Sequence, residues 1–390
     1  MKRFTIVLDG IADRPQKALN GKTPMEAAGT PGLDSLFKSS KPGTVLTIPP
    51  GLEVGSSVAN LSLLGYDPAS VYKGRAVIEA AGAGLAVSRG DLYIRCNFIS
   101  LEGDSFETSV MKSYSAHDIE TDKARPLTDR LNEEVFKPPF KLVHIDTFRN
   151  ILIVEGAADI AKQLAFMPAH DMIGGRVADY IKGGPVMQEY FALMKKAYDV
   201  LKQDNLTEAN GIWFWGASYA PSFGQQPEGR RVVLAETSLM RGIAALSGTE
   251  CVTTGEDKGF IEFLKDKAKS AVAAVKEYDY AYIHIQKLDD LSHELQSVEK
   301  MRAIEDIDTH FIRPFFAEID EPYTAIVVSD HYTFSDTGGH GGEPSPFMLL
   351  GRGSAEPAGR FTEQYCRNAG WSVKAGELVA VQRNGAANEL

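Results

Sequence analysis

Short apolar runs alternate along this chain with stretches that repeat apolar residues at helical spacing, and that alternation limits the fold more than any other feature. Phe4–Leu8, Leu92–Asn97, Ile151–Val154, Arg231–Leu234, Tyr280–Ile285 and Ala325–Val328 read as strands. Between them, "VMQEYFALMKKAYDVLKQ" aligns Val186, Tyr190, Leu193, Ala197 and Leu201 on one stripe, and "EKMRAIEDIDTHFI" aligns Met301, Ile304, Ile307 and Phe311. Strands interleaved with helices bury both faces of a mainly parallel sheet, so the expected class is α/β.

A chain of 390 residues is long for one domain. From about Leu101 to Asp171 the text turns more polar, holds "ETDKARPLTDRLNEEVFKPPFK" and ends near the loop-like "MPAHDMIGG". It is expected to form a cap domain, 101–171, inserted into a core made of 1–100 and 172–390. The net charge of −11 opposes nucleic-acid binding, which needs clustered Lys and Arg. It leaves anionic substrates open, because bound divalent cations reverse the local potential. Cys96, Cys251 and Cys366 are odd in number, widely spaced and without a CxxC pattern, as expected of core thiols in a reducing compartment. The apolar run at the N-terminus is too short for a signal peptide, and no segment reaches the roughly 18 apolar residues of a membrane span. A cytoplasmic protein without a membrane or nucleic-acid partner is expected.

Several strands end in acids, at the edge where open parallel sheets bind ligands. Phe4–Leu8 runs into Asp9. "YAYIHIQKLDDLSH" leads to Asp289, with His293 four residues on. "AIVVSDH" ends in Asp330-His331, and His340 follows in the glycine-rich "DTGGHGGEP". Carboxylates with imidazoles and no thiolate suit Mn²⁺, Zn²⁺ or a related divalent ion. Taken singly, a strand-end Asp is as readily a helix N-cap, and Asp289 with His293 a solvated helix face; the combination carries the metal reading. His117, His144, His170, His284 and His310 fall outside the pattern and read as surface or core residues.

"GLEVGSSVANLSLLGYDP" offers a nucleophile. Ser56 and Ser57 follow Gly55 and precede a helical pattern of Val58, Leu61 and Leu64. A serine there sits at a helix N-terminus, where free N–H groups favour a phosphate. Metal contact at its hydroxyl would lower its pKa for attack. The competing reading is a plain N-cap.

These motifs together resemble the archaeal-type cofactor-independent phosphoglycerate mutases of the alkaline phosphatase superfamily. The matching text is "LDGIADRP", "GKTPMEAAGTPGLDSL", "GSSVANLSLLGYDP", "YKGRAVIEAAGAGL", "YIRCNF", "MPAHD", "ANGIWFWG", "DDLSH…EKMRAIEDID" and "SDHYTF…GHGGEPSPFMLL", reaching about residue 350. The resemblance implies an alkaline-phosphatase-like, mainly parallel sheet sandwiched by helices, with a smaller α+β cap. It implies two divalent ions, Mn or Zn with Mg as a further choice: one held by Asp9, Ser56, Asp330 and His331, the other by Asp289, His293 and His340. Ser56 would accept the phosphoryl group and pass it on. Arg75 in "KGRA", Arg95 in "IRCN" and Arg149 in "TFRNILIVEG" would grip phosphate or carboxylate of a small phosphorylated metabolite.

The expected reaction is therefore interconversion of 2- and 3-phosphoglycerate through phosphoserine, with the cap excluding water. The chain departs from the family pattern at Ser57, where an acid is usual, at Ser292 and Glu294, and in "CVTTGEDKGF". Related readings keep the site but change the reaction: a homoserine kinase-like phosphotransferase, although no Walker-type or kinase-type glycine loop is present, or a phosphomonoester hydrolase. A non-catalytic relative would be marked by missing ligands, and all seven are present.

Overall fold

A computed structural model describes residues 1–203, 207–224, 229–255, 259–351 and 358–384. Residues 256–258 of the divergent "CVTTGEDKGF" lie outside them. The chain divides into two compact units, Met1–Tyr72 with Phe223–Leu390, and Lys73–Ser222.

The first unit is built on an eight-stranded sheet. Its strands, numbered within that sheet, are β1 (Lys2–Leu8), β2 (Ser40–Leu46), β3 (Arg231–Leu234), β4 (Glu250–Val252), β5 (Tyr280–Ile285), β6 (Tyr323–Val328), β7 (Ser345–Leu350) and β8 (Ser372–Lys374). They lie in the order β8-β2-β7-β6-β1-β5-β3-β4. Every pairing is parallel except those of β7, which runs against β6 and β2. The mainly parallel α/β core is as expected.

Side chains alternate across a pleated strand, so each central strand has two different faces. Phe4, Ile6 and Leu8 of β1, Ala281, Ile283 and Ile285 of β5, and Ala325 and Val327 of β6 join one apolar core with Leu264, Ala268, Ile304, Ile307, Phe311 and Phe315. The other face carries Thr5 and Val7 of β1, Tyr282 and His284 of β5, and Ile326 and Val328 of β6. Val7 lies opposite His284 on one side and Val328 on the other. Two residues further along, β1 and β6 therefore deliver Asp9 and Asp330 side by side at the carboxyl edge.

The second unit holds an antiparallel sheet of Leu92–Glu102, Val110–Ser113, Phe140–Asp146, Arg149–Val154 and Gly211–Tyr219. Its long strand Leu92–Glu102 pairs with both Arg149–Val154 and Gly211–Tyr219. This is wider than the expected insertion of 101–171. Leu92–Asn97, placed in the core by its apolar run, is here the centre of the second sheet. The helix Pro185–Leu201 packs against that sheet through Tyr190, Leu193, Ala197 and Leu201. Among the described residues no helix is long and apolar enough to cross a membrane.

Candidate metal centre

All seven expected ligands belong to the first unit, and the structure brings them together. Asp9 follows directly on β1, Asp330-His331 lie just beyond β6, and a short helix after β5, Lys287–His293, presents Asp289 and His293 one turn apart. His340 returns on a two-residue strand that pairs with Tyr332–Thr333. Asp9, Asp330 and His331 are wholly buried. His331 Nε2 lies 3.5 Å from Asp9 Oδ1, 3.4 Å from Asp330 Oδ2 and 3.0 Å from Ser56 Oγ. Asp289 Oδ2 lies 3.2 Å from His293 Nε2, and its Oδ1 lies 3.4 Å from His340 Nε2. The rings of His331 and His340 are 4.4 Å apart between centroids, so the two groups adjoin.

Ser56 opens the helix α1 (Ser56–Leu63), and the capping position belongs to Gly55, so the serine hydroxyl is not used as an N-cap. It faces His331 instead. A Cβ at Gly55 would stand 3.8 Å from His340 Nδ1, which places this corner beside the second ligand group as well. Ser57, where an acid is usual, is buried. Ser292, one of the departures from the family pattern, turns Oγ onto the Leu288 carbonyl at 2.8 Å.

Supporting contacts orient most of the ligands. Asp330 Oδ1 accepts from the Gly10 and His331 amides, and Oδ2 from Asn60 Nδ2 at 2.9 Å. Tyr282 donates its hydroxyl to Asn60 Oδ1 at 2.6 Å. Thr333 Oγ1 donates to Asp289 Oδ1 at 2.7 Å and lies 3.1 Å from His331 Nδ1. Gly10 has a φ of +62°, and a side chain there would collide with Thr333 Oγ1 and stand 3.0 Å from Asp289 Oδ1. Only glycine combines that backbone with that approach.

The charges are arranged for a cation. Burial, followed by repulsion from Asp330 and Asp289, pushes the Asp9 carboxyl well above the ordinary range. Burial also acts to raise Asp289, but the adjoining His293, His340 and His331 imidazoles outweigh it and hold that carboxyl low. Burial holds the His331 imidazole below its usual value. Both carboxylate oxygens of Asp9, and His340 Nε2, are buried without a hydrogen bond to any described residue. Orphaned acceptors in a mixed oxygen and imidazole set are what a divalent ion would satisfy. Among the described residues, two triads have ligand atoms close enough to share an ion: Asp289, His331 and His340, and Asp9, His284 and Asp330.

His284 was not expected in this site. Wholly buried, it places Nε2 3.1 Å from Asp9 Oδ2, and burial lowers its pKa to about 4, so the ring is neutral. An isolated histidine inside the apolar run "YAYIHI" signals burial only; its register against β1 is what locates it. Asn60, Tyr282 and Thr333 also escaped notice, since no local pattern marks a side chain that acts through another. Of the remaining histidines, His117 pairs with Glu208, His144 with Asn150, and His170 stacks edge-on near Trp215.

The three arginines lie in the second unit. Arg75 and Arg95 share the Glu79 carboxylate at 2.8 and 2.9 Å, and Arg95 stacks 3.5 Å over Trp215. Arg149 is half exposed and pairs with Asp146 at 2.6 Å.

Comparison with known proteins bears on this arrangement. The family described as 2,3-bisphosphoglycerate-independent phosphoglycerate mutase matches residues 38–206. The chain is 32% identical to the 2,3-bisphosphoglycerate-independent phosphoglycerate mutase of Methanosarcina acetivorans, over 98% of this chain and 99% of that protein. It is 30% identical to a probable enzyme of the same description from Geobacter sulfurreducens, over 96% and 98%. A solved structure of a protein from Pyrococcus horikoshii superposes with a TM-score of 0.81 at 25% identity, over 98% of this chain and 96% of that one. A cofactor-independent phosphoglycerate mutase from Thermoplasma acidophilum shares the fold, with a TM-score of 0.67 at 21% identity over 99% and 100%.

Proposed function

The chain belongs to the 2,3-bisphosphoglycerate-independent phosphoglycerate mutase family, and on that premise we propose that it interconverts 2-phosphoglycerate and 3-phosphoglycerate through a phosphoserine formed at Ser56. The observation that carries this reading is the placement of Ser56 Oγ, free of any capping role and 3.0 Å from His331 Nε2, at the rim of the acid and imidazole cluster.

Asp9, Ser56, Asp330 and His331 would hold one divalent ion, and Asp289, His293 and His340 the other; the mixed donor set suits manganese or zinc. When bound, these ions lower the pKa of the serine hydroxyl and offset the charge of the phosphoryl oxygens. Ser56 Oγ forms a bond to phosphorus as the bond to one glycerate oxygen breaks, and that oxygen takes up a proton. The other glycerate hydroxyl then attacks phosphoserine, loses its proton and regenerates Ser56, so the net change is an isomerisation. Thr333 and Asn60 keep Asp289 and Asp330 aimed throughout. Arg75, Arg95 and Arg149 would bind the substrate anion. A cytoplasmic setting belongs to the same proposal and is supported by three free cysteines.

Metal-stripped protein reloaded with Mn²⁺ and given 3-phosphoglycerate tests the reading by phosphorus NMR. Appearance of 2-phosphoglycerate without inorganic phosphate is expected, and Ser56→Ala abolishes it with folding intact. Release of inorganic phosphate alone would replace the mutase with a hydrolase.

A further inference from the structure

The three buried acids of the centre differ in how they are held. Asp330 accepts from two backbone amides and Asn60, and Asp289 from Thr333 and Gln286. Among the described residues Asp9 finds no donor for either oxygen, although it is entirely buried. A metal-binding carboxylate is oriented by the donors behind it, and loss of such partners weakens metal affinity. The group standing against it is His284, equally buried, with both ring nitrogens lacking a hydrogen bond.

Register explains the pairing. His284 lies opposite Val7 on the adjacent strand, one pleat below Asp9 and on the same face. It therefore supports Asp9 from beneath. Its Nε2 is already 3.1 Å from Asp9 Oδ2, and catalytic hydrogen bonds commonly align and tighten only when a ligand arrives.

We propose that His284 is a positioning residue for the Asp9 arm of the metal centre: its Nε2–H donates to Asp9 Oδ2 and leaves Oδ1 for the cation. The inference rests on the divalent-ion reading above and adds to it a residue outside the expected ligand set.

Zinc titration of the full chain, read by calorimetry and by counting bound ions, tests it with His284→Asn, His284→Gln and Asp9→Asn. A glutamine places its amide nitrogen near the position of Nε2, whereas asparagine reaches only as far as Nδ1. His284→Asn is expected to weaken one of two zinc ions by about 10- to 100-fold, the usual effect of removing such a partner, and to leave the other unchanged. His284→Gln keeps most of that affinity, a rescue that a mere packing role would not produce. In ¹⁵N-histidine spectra of the zinc-loaded wild type, His284 carries its proton on Nε2. If Asp9→Asn loses an ion while His284→Asn binds both as the wild type does, the proposal fails and the metal centre stands. A bare Nε2 with a zinc-induced shift would make His284 a ligand and also overturn it. If the wild type binds no zinc, the divalent-ion reading falls first and takes this proposal with it.

Discussion

Lys300 Nζ stands 3.1 Å from Asp13 Oδ2, with both side chains entirely withdrawn from solvent. The same ammonium donates to the Thr333 carbonyl at 3.0 Å, and Thr333 in turn holds Asp289. Asp13 also accepts from Ser335 and Gln16. One buried ion pair thus joins the helix Ser297–Ile307 to the segment that aims a candidate metal ligand.

Replacing Lys300 with Met leaves Asp13 charged and buried without its partner. Breaking such a pair from one side costs about 3–5 kcal/mol, and urea denaturation of the variant reads it directly. A loss below about 1 kcal/mol would mean that Asp13 had found water or a proton.

Tyr282→Phe removes one hydroxyl and strands the Asn60 carbonyl, which has accepted it at 2.6 Å in a fully buried setting. An orphaned buried acceptor costs about 1–3 kcal/mol. The same denaturation assay should show that loss, with the slope against urea unchanged because the exposed surface on unfolding is unchanged.

Glu363 gives the pH prediction. Burial raises its carboxyl to about 7, although it accepts from the Asp13 amide and the Thr23 hydroxyl. The folded state then binds more protons than the unfolded state between the ordinary glutamate range and pH 7. Its contribution to stability is complete below the unfolded pKa and is lost as pH rises through 7, amounting to about 3 kcal/mol. Urea midpoints measured from pH 5 to pH 8 should fall more for wild type than for Glu363→Gln. Parallel curves for the two proteins would contradict it.

Chelation should lower the thermal midpoint, because the buried acids at the ends of β1 and β6 are left to repel one another. Saturating metal at a hundred times its dissociation constant restores about 2.7 kcal/mol per site. Scanning calorimetry with and without Mn²⁺ or Zn²⁺ measures the difference, and identical midpoints would argue against a resident ion.

The acids at the strand ends were legible because burial of a parallel strand demands an apolar run, and a charge marks where that run leaves the core. Asp9, Asp289 and Asp330 stand out for that reason. The bounds of the second unit were not legible. Leu92–Glu102 pairs with Gly211–Tyr219 from far along the chain, and an apolar run reads alike whether its neighbour is parallel or antiparallel.

By itself, then, the sequence determined the strands β1, β3, β5 and β6 and the acids that follow β1, β5 and β6, since both come from local periodicity. Tertiary structure decided which of those side chains meet. Strand register set His284 beneath Asp9, the entry of α1 freed Ser56 from capping, and a helix some 290 residues from Asp13 supplied Lys300. Hydrogen bonds and ion pairs act over a few ångströms, whatever the separation along the chain, so only the folded arrangement can specify them.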